Sequence, residues 1–410
     1  MASPLDDVLR AAESMTWSRL GDRPLCDACL GRLAGRAGHG LTNPERGRAI
    51  RARFAIPAPA GCWLCGGLLD EVGKFADLAA DKLGPWEFTT FLVGSKVDPE
   101  VVAREEGLWA ELGATQPEAI KSEVNREVGK RLSMRLGKEA DLARPEVVAI
   151  VDTAFDSVDV QVNPLFFRGR YRKLARGIPQ TRWPCRRCRG KGCEHCGGKG
   201  KMYETSVEEV VAAAVMAQSG GSGHALHGMG REDVDARMLG RGRPFVLEVK
   251  EPPRRSVDLE AVARLVNASG SVEVEGLRMA GVDDVVAVKE DRVSKTYRVL
   301  VRFGTPVEDG KLQIAVASLV GRPIAQRTPV RVSHRRADRT RERVVTEIEV
   351  MASDGATTEL RVTAEAGTYV KELVHGDGGR TVPSLSGLLG VPLEVLELDV
   401  LEVHDEARPW

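Results

Sequence analysis

The stretch Gly230-Arg231-Glu232-Asp233-Val234-Asp235, continuing through Arg237-Met238-Leu239-Gly240-Arg241-Gly242-Arg243-Pro244-Phe245, sets a carboxylate between arginines at the entrance of a strand-like run. An enzyme that must keep an Asp ionised for nucleophilic work gains from neighbouring cations, whereas a surface turn gains little. Taken alone, Gly-Arg-Glu-Asp reads first as a solvated charged turn, because short motifs recur by chance. Its surroundings change that reading. Downstream, runs rich in β-branched residues at 245–249, 271–274, 285–288, 297–301, 344–350, 359–363 and 396–403 predict strands, with helices such as 259–266 between them. Such an order implies an α+β domain built on a mixed, largely antiparallel sheet with flanking helices.

Immediately upstream, Ser206-Val207-Glu208-Glu209 is a capping box that opens a helix over 210–217. The tract Gly220-Gly221-Ser222-Gly223 follows that helix. A dinucleotide-binding loop follows a strand and opens a helix, so a nucleotide-phosphate role is rejected for it. Between about residues 70 and 180 helices alternate with strands. Ile120, Val124, Val128, Leu132 and Leu136 recur at the spacing of a helix face, with Lys121, Arg126, Lys130 and Arg131 on its solvated side, and 148–152 and 158–162 read as strands. At the N-terminus Ser3-Pro4-Leu5-Asp6 predicts a helix over 4–16. These changes of pattern divide the chain into an N-terminal module at 1–69, an α/β domain at 70–184, a Cys-rich basic knuckle at 185–204 and the strand-rich domain at 205–410.

All eight cysteines occur as Cys-x-x-Cys pairs: Cys26/Cys29, Cys62/Cys65, Cys185/Cys188 and Cys193/Cys196. In a cytoplasmic chain such pairs are usually zinc ligands, because two turns supplying two thiolates each complete a tetrahedral site. The first two pairs are expected to form one structural zinc site that folds the N-terminal module. The second two are abutting copies of Cys-x-x-Cys-x-Gly-x-Gly, which resemble the zinc repeat of the Hsp40 chaperones. The short separation of Cys188 from Cys193 strains a closed site, so metal, a disulfide and a flexible basic knuckle all remain open readings there.

With 410 residues, 42% of them hydrophobic and 29% charged, the chain is long enough for two or three buried cores, and no apolar run approaches the length of a membrane span. A cytoplasmic protein is expected. The net charge is zero. Its distribution is uneven: twelve Lys/Arg face only Glu194 between Phe166 and Lys201, a local excess of +11, and seven Arg face two acids between Arg327 and Arg343, an excess of +5. Two basic surfaces are therefore available to a polyanion. The arginine-rich, aromatic-free segment from Thr328 to Arg343 is expected to be a mobile loop near the active site.

Three segments then take on a joint meaning: Gly230-Arg-Glu-Asp233, Ser294-Lys295-Thr296-Tyr297 and Gly367-Thr368-Tyr369-Val370-Lys371-Glu372-Leu373. In that order they resemble the three main motifs of the pseudouridine synthases. The segments 240–245, Thr328-Pro-Val-Arg-Val332 with His334-Arg335-Arg336, and 371–384 narrow the likeness. They are similar to the archaeal and eukaryotic tRNA pseudouridine synthases that carry an N-terminal zinc and THUMP region. The segments 169–180 and 123–127 fit the THUMP part.

The resemblance implies isomerisation of uridine 54, uridine 55 or both in the T-arm of tRNA, with structural zinc and no organic cofactor, since the reaction changes neither redox state nor composition. No obligatory protein partner is implied. By motif position Asp233 is the nucleophile, acting at the ribose or at the base, and Asp235 is its structural neighbour. Lys371 takes the basic position that pairs with the Asp, as a point charge where many relatives have the arginine fork. Tyr297, and less directly Tyr369, are placed against the flipped base. Arg231 is a further candidate for the Asp233 environment or for a phosphate, and Arg170, Arg172, Lys173 and Arg176 are expected to hold tRNA backbone. Basic patches and zinc modules alone would also suit a non-catalytic RNA-binding or RNA-chaperone protein, which leaves Asp233, Tyr297 and Lys371 without a task. A THUMP-bearing methyltransferase or thiolase would need a cofactor loop after a strand, or a redox cysteine outside the pairs, and the sequence has neither.

Overall fold

The computed structural model describes residues 3–333 and 337–405, so the His334-Arg335-Arg336 part of the motif lies outside the described residues. The chain forms two compact units, Met1–Asn163 with Glu251–Arg255, and Pro164–Lys250 with Ser256–Trp410.

The first unit comprises α1 (Pro4–Glu13), α2 (Asp27–Arg32), α3 (Asn43–Phe54), α4 (Val72–Leu83), β1 (Thr90–Lys96), α5 (Pro99–Leu112), α6 (Ile120–Leu136), β2 (Glu139–Ala140), β3 (Val147–Asp152) and β4 (Ser157–Val162). Capping boxes at Ser3 and Thr42 start α1 and α3, each with Pro in the first turn. The strands make a sheet in the order β2-β1-β3-β4, parallel except for β3 against β4. Ile120, Val124, Val128 and Leu132 of α6 are buried against it, as their spacing predicts.

The second unit comprises β5 (Leu165–Lys173), α7 (Val207–Ser219), β6 (Gly223–Gly228), β7 (Arg237–Lys250), α8 (Leu259–Asn267), β8 (Val272–Ala280), α9 (Val282–Glu290), β9 (Lys295–Phe303), α10 (Asp309–Leu319), β10 (Pro323–Arg327), β11 (Thr340–Ser353), β12 (Thr357–Ala364), α11 (Val370–His375), β13 (Thr381–Val382), α12 (Leu385–Leu389) and β14 (Leu393–Val403). Ten strands form one sheet in the order β13-β10-β11-β12-β9-β14-β7-β5-β8, with β6 added against β7. All pairs are antiparallel except β14 with β7. An α+β fold with a large, mostly antiparallel sheet is thus the observed architecture. Two cores cover it, one around Tyr171, Phe245 and Val272, the other around Val299, Leu312 and Leu373.

Two expectations change. Residues 165–173, read with the preceding α/β domain, are strand β5, hydrogen-bonded between β7 and β8. Alternate residues Leu165, Phe167, Tyr171 and Lys173 are buried there, a face that only the large sheet covers. Residues 285–288 are helix, not strand. Asp283 and Asp284 lie in the first turn, the Asp284 carboxylate accepts from the Gly281 amide at 2.8 Å, and Val285 and Val288 are buried while Val286 is exposed, so the effective spacing is three. Among the described residues no helix is long and apolar enough to cross a membrane.

Candidate active site

The loop from Met229 to Ala236 joins β6 to β7, and its conformation follows from what lies beneath it. Gly230 has φ +79°, and a Cβ there would press on the Arg243 guanidinium. Glu232 points inward, fully buried, and pairs with equally buried Arg243 at 2.9 Å. The Tyr171 hydroxyl donates to both Glu232 oxygens at 2.9 and 2.8 Å, and accepts from the Gln180 amide at 2.8 Å. Gln180 also donates to the Gly230 carbonyl at 3.0 Å. Burial, with Glu232 beside it, pushes the Tyr171 hydroxyl far above its ordinary range, so it stays a donor. From the other side the Lys173 ammonium donates to the carbonyls of Ile178, Asp233 and Val234 at 2.8, 3.0 and 3.2 Å. A loop whose backbone carbonyls and one carboxylate are held from below presents the next side chain, Asp233, in a fixed place.

Asp233 lines a cavity of about 200 Å³ that also takes in Arg231, Lys295, Tyr297, Arg331, Tyr369 and Lys371. Arg331 sits on the short turn Val330–Val332 after β10 and donates from Nη1 to Asp233 Oδ1 at 2.7 Å. Its remaining fork grips the buried Glu372 carboxylate, Nε at 2.6 Å and Nη2 at 3.2 Å. Burial lowers the Arg331 pKa, but the two carboxylates outweigh it and raise the group above its ordinary value. Lys371, at the start of α11, lies 3.7 Å from Asp233 Oδ2 and 2.6 Å from Asp235 Oδ2. Against burial, which raises it, the Lys371 hydrogen bond holds Asp235 below the usual carboxylate range. Tyr297 on β9 and Tyr369 ahead of α11 add two aromatic rings to the cavity lining. Tyr369 is fixed by a reciprocal pair with the buried Gln326 side chain, which accepts its amide at 2.9 Å and donates to its carbonyl at 3.0 Å. Burial pushes the Tyr297 hydroxyl up to about 12, leaving a neutral ring. Lys295 is 7% exposed, donates to the Val293 carbonyl at 3.0 Å, and is pushed down to about 7 by burial and the Arg243 charge.

Asp233, Lys371, Tyr297, Tyr369 and Arg231 are therefore brought together, from three separate segments. Arg170, Arg172 and Lys173 are not. Arg170 is bound to Asp405 at 2.6 Å and to the carbonyls of Arg241 and Gly242, Arg172 pairs with Glu273 at 2.8 Å, and Lys173 is wholly buried beneath the loop. Arg176 pairs with buried Asp399 at 2.8 Å. Alternation along β5 sends Arg170 and Arg172 to one face and Lys173 to the other, each onto internal acceptors, and Arg176 follows just beyond the strand. The segment 328–343, expected to be a mobile loop, is packed where described: Arg331 is bonded as above, the Val330 amide donates to Asp377 at 3.1 Å, and residues 340–343 open strand β11. Arg331, Glu372, Lys295 and the Glu232–Arg243–Tyr171–Gln180 group went unassigned in the sequence, although all fall within or beside the motif segments.

The four thiols of Cys26, Cys29, Cys62 and Cys65 lie within 4.8 Å of one another, as do those of Cys185, Cys188, Cys193 and Cys196. None of the eight is in a disulfide. In the second group Cys185–Cys193, Cys188–Cys196 and Cys193–Cys196 are 3.8, 3.9 and 3.8 Å apart. Four sulfurs at about 2.3 Å from a zinc ion have tetrahedral edges of about 3.8 Å, so both sets fit a metal ion. Buried Arg32 donates to Cys29 Sγ at 3.3 Å, which suits a thiolate. The strain expected from abutting pairs is avoided by glycine: Gly192 and Gly200 have φ of +90° and +67°, and a Cβ on either would collide with the carbonyl of Gly198 or Gly190 in the other copy. The two knuckles thereby lie backbone against backbone.

An aspartate held between an arginine and a lysine, in a cavity that two tyrosines also line, is the arrangement of an enzyme site with room for a flat ring. Residues 166–404 match the family model "Pus10, C-terminal", and residues 75–152 match "Pus10 THUMP domain, archaeal". The chain is 46% identical to the tRNA pseudouridine synthase Pus10 of Halorubrum lacusprofundi over 98% of both chains. It is 42% identical to that of Methanothrix thermoacetophila over 94% of this chain and 92% of the relative. The chain belongs to the Pus10 family of tRNA pseudouridine synthases. Among solved structures, a Cbf5–Nop10–Gar1 complex covers 49% of the chain and 47% of its own at 22% identity and a TM-score of 0.30, too loose to bear on function.

Proposed function

We propose that the protein isomerises uridine 54, uridine 55 or both in the T-arm of tRNA, with Asp233 as the nucleophile. The observation that carries this reading is the pairing of Asp233 with Arg331 and Lys371 at the floor of a cavity lined by Tyr297 and Tyr369. The target base leaves its stack and lies on Tyr297. Asp233 adds to the ribose or to the base, and the N1–C1′ bond breaks. The detached uracil turns, C5 bonds to C1′, the bond to Asp233 breaks and returns the carboxylate, the C5 proton leaves and N1 takes one up, so the product has the composition of the substrate. Arg331 and Lys371 hold the carboxylate in line, and Asp235 orients Lys371 through the 2.6 Å contact. Both cysteine groups hold structural zinc in this reading; the metal supplies folding energy and takes no step in the chemistry.

Incubation of an unmodified tRNA transcript with the protein, followed by mapping of pseudouridine, tests the proposal. Conversion at the T-arm uridines by the wild-type protein, and none by Asp233→Ala, is the expected result. A D233A protein that still converts uridine would remove Asp233 from its role.

A further inference from the structure

Apart from Lys173, buried on backbone carbonyls, the cations of the basic stretch 166–201 divide in two. Arg168, Arg170, Arg172 and Arg176 are paired with acids, and so are Lys199 and Lys201, with Glu204 and Glu209. Arg182, Arg186, Arg187, Arg189 and Lys191 are exposed, and their side chains form no ion pair among the described residues; only the Arg182 backbone amide meets an acid, Glu208, at 3.1 Å. All five lie on or beside the second cysteine group. The chains entering and leaving that group are zipped together: the Cys185 amide donates to Gly200 at 2.8 Å, the Met202 amide donates to Trp183 at 3.0 Å, and Pro184 bridges to Lys201. That ladder sets the Trp183 and Tyr203 rings edge to face, 5.3 Å apart at 78°. Both rings are half-buried and neither belongs to a hydrophobic core of the unit. The Arg231 guanidinium stands 5.5 Å from the Trp183 ring centre, and Arg231 also lines the Asp233 cavity.

We propose that Trp183, braced by Tyr203 and neighboured by Arg231, is a stacking subsite for an RNA base that flanks the flipped uridine, and that the Cys185–Cys196 group aligns it. The inference rests on the tRNA reading above. With the Arg231 guanidinium over the indole, the pair offers a nucleobase a combined π and cation stack, and the exposed arginines of the cysteine group attract the backbone. The thiolate group shapes the subsite because the two chain segments carrying the rings are the two that it ties.

The test uses the tRNA transcript with 2-aminopurine on each side of the converted uridine. Wild-type protein is expected to quench the probe on one side; Trp183→Phe retains most of the quench, and Trp183→Leu loses it while raising KM by about tenfold, as loss of one stacked base implies. Cys185→Ser with Cys188→Ser reproduces the loss of quench, and the protein releases part of its bound metal. Replacing Arg186, Arg187, Arg189 and Lys191 by Ala lowers the slope of log affinity against log salt by about 3. If Trp183→Leu does not fold, the wild-type quench alone decides. Pseudouridine formed with no quench at either position, or with W183L matching wild type in KM, would overturn this subsite and leave the tRNA reading intact. No pseudouridine from the wild-type protein would overturn the reading itself.

Discussion

Asp233 has two oxygens and two cations of different kind. Arg331 is planar and forked, so it can hold Oδ1 while its other nitrogens grip Glu372, whereas Lys371 is a point charge shared with Asp235. Arg331→Lys keeps the charge and cannot span both carboxylates. Loss of one charge-assisted hydrogen bond is worth about 1.5–3 kcal/mol, so kcat should fall roughly tenfold to a hundredfold with KM little changed. A variant with wild-type kcat would separate Arg331 from the chemistry. Lys295 carries a pH signature. Its folded value, about 7, lies below the ordinary lysine value of the unfolded chain, so the unfolded state holds more protons between the two. The penalty for burying the ammonium is complete below pH 7 and fades as pH rises, with stability climbing at up to about 1.4 kcal/mol per pH unit. Lys295→Met should flatten that climb and raise stability at pH 6, as read by denaturant unfolding from pH 6 to 9.5; an unchanged slope would count against it. The motif order marked Asp233, Tyr297 and Lys371 in the sequence. Arg331 lay inside a quoted motif without a role, because nothing local shows that a turn after β10 reaches a loop before β7.

The β6–β7 loop is held by its neighbours in the sheet more than by its own residues. Glu232 and Arg243 are both buried, and such a pair adds little net stability, although breaking it leaves an uncompensated charge. Tyr171→Phe removes one hydroxyl and should cost about 1–2 kcal/mol. Glu232→Gln strands Arg243 and should cost about 3–5 kcal/mol, with conversion of uridine lost in step. Urea unfolding of the second unit ranks the two; equal costs would refute the buried-charge account. Helices marked by a cap, such as α1, or by an apolar stripe, such as α6, were legible from local sequence. The segment 282–290 was not, because four valines with two aspartates suit either period, and burial of Val285 and Val288 alone settles it. Strand β5 was misplaced for a related reason: alternation along it is plain, but which sheet covers its buried face is a long-range matter.

Each unit of the molecule carries one group of four thiols, Cys26–Cys65 in the first and Cys185–Cys196 in the second. Metal analysis of the purified protein should find two zinc ions per chain. Cys26→Ser with Cys29→Ser should remove one ion and destabilise the first unit, with the second unit's unfolding transition unmoved; a single ion in the wild-type protein would show that one group is not a zinc site. By itself the sequence determined the class of fold, the grouping of the first four cysteines and the motif segments that meet in the cavity, because periodicity, Cys-x-x-Cys spacing and ordered motifs are local signals. Only the tertiary structure decided which cations serve Asp233 and which arginines are already neutralised. It also showed how two abutting knuckles close around one point. Those outcomes depend on residues far apart in the chain meeting across a sheet, where charges find internal partners or are left facing water.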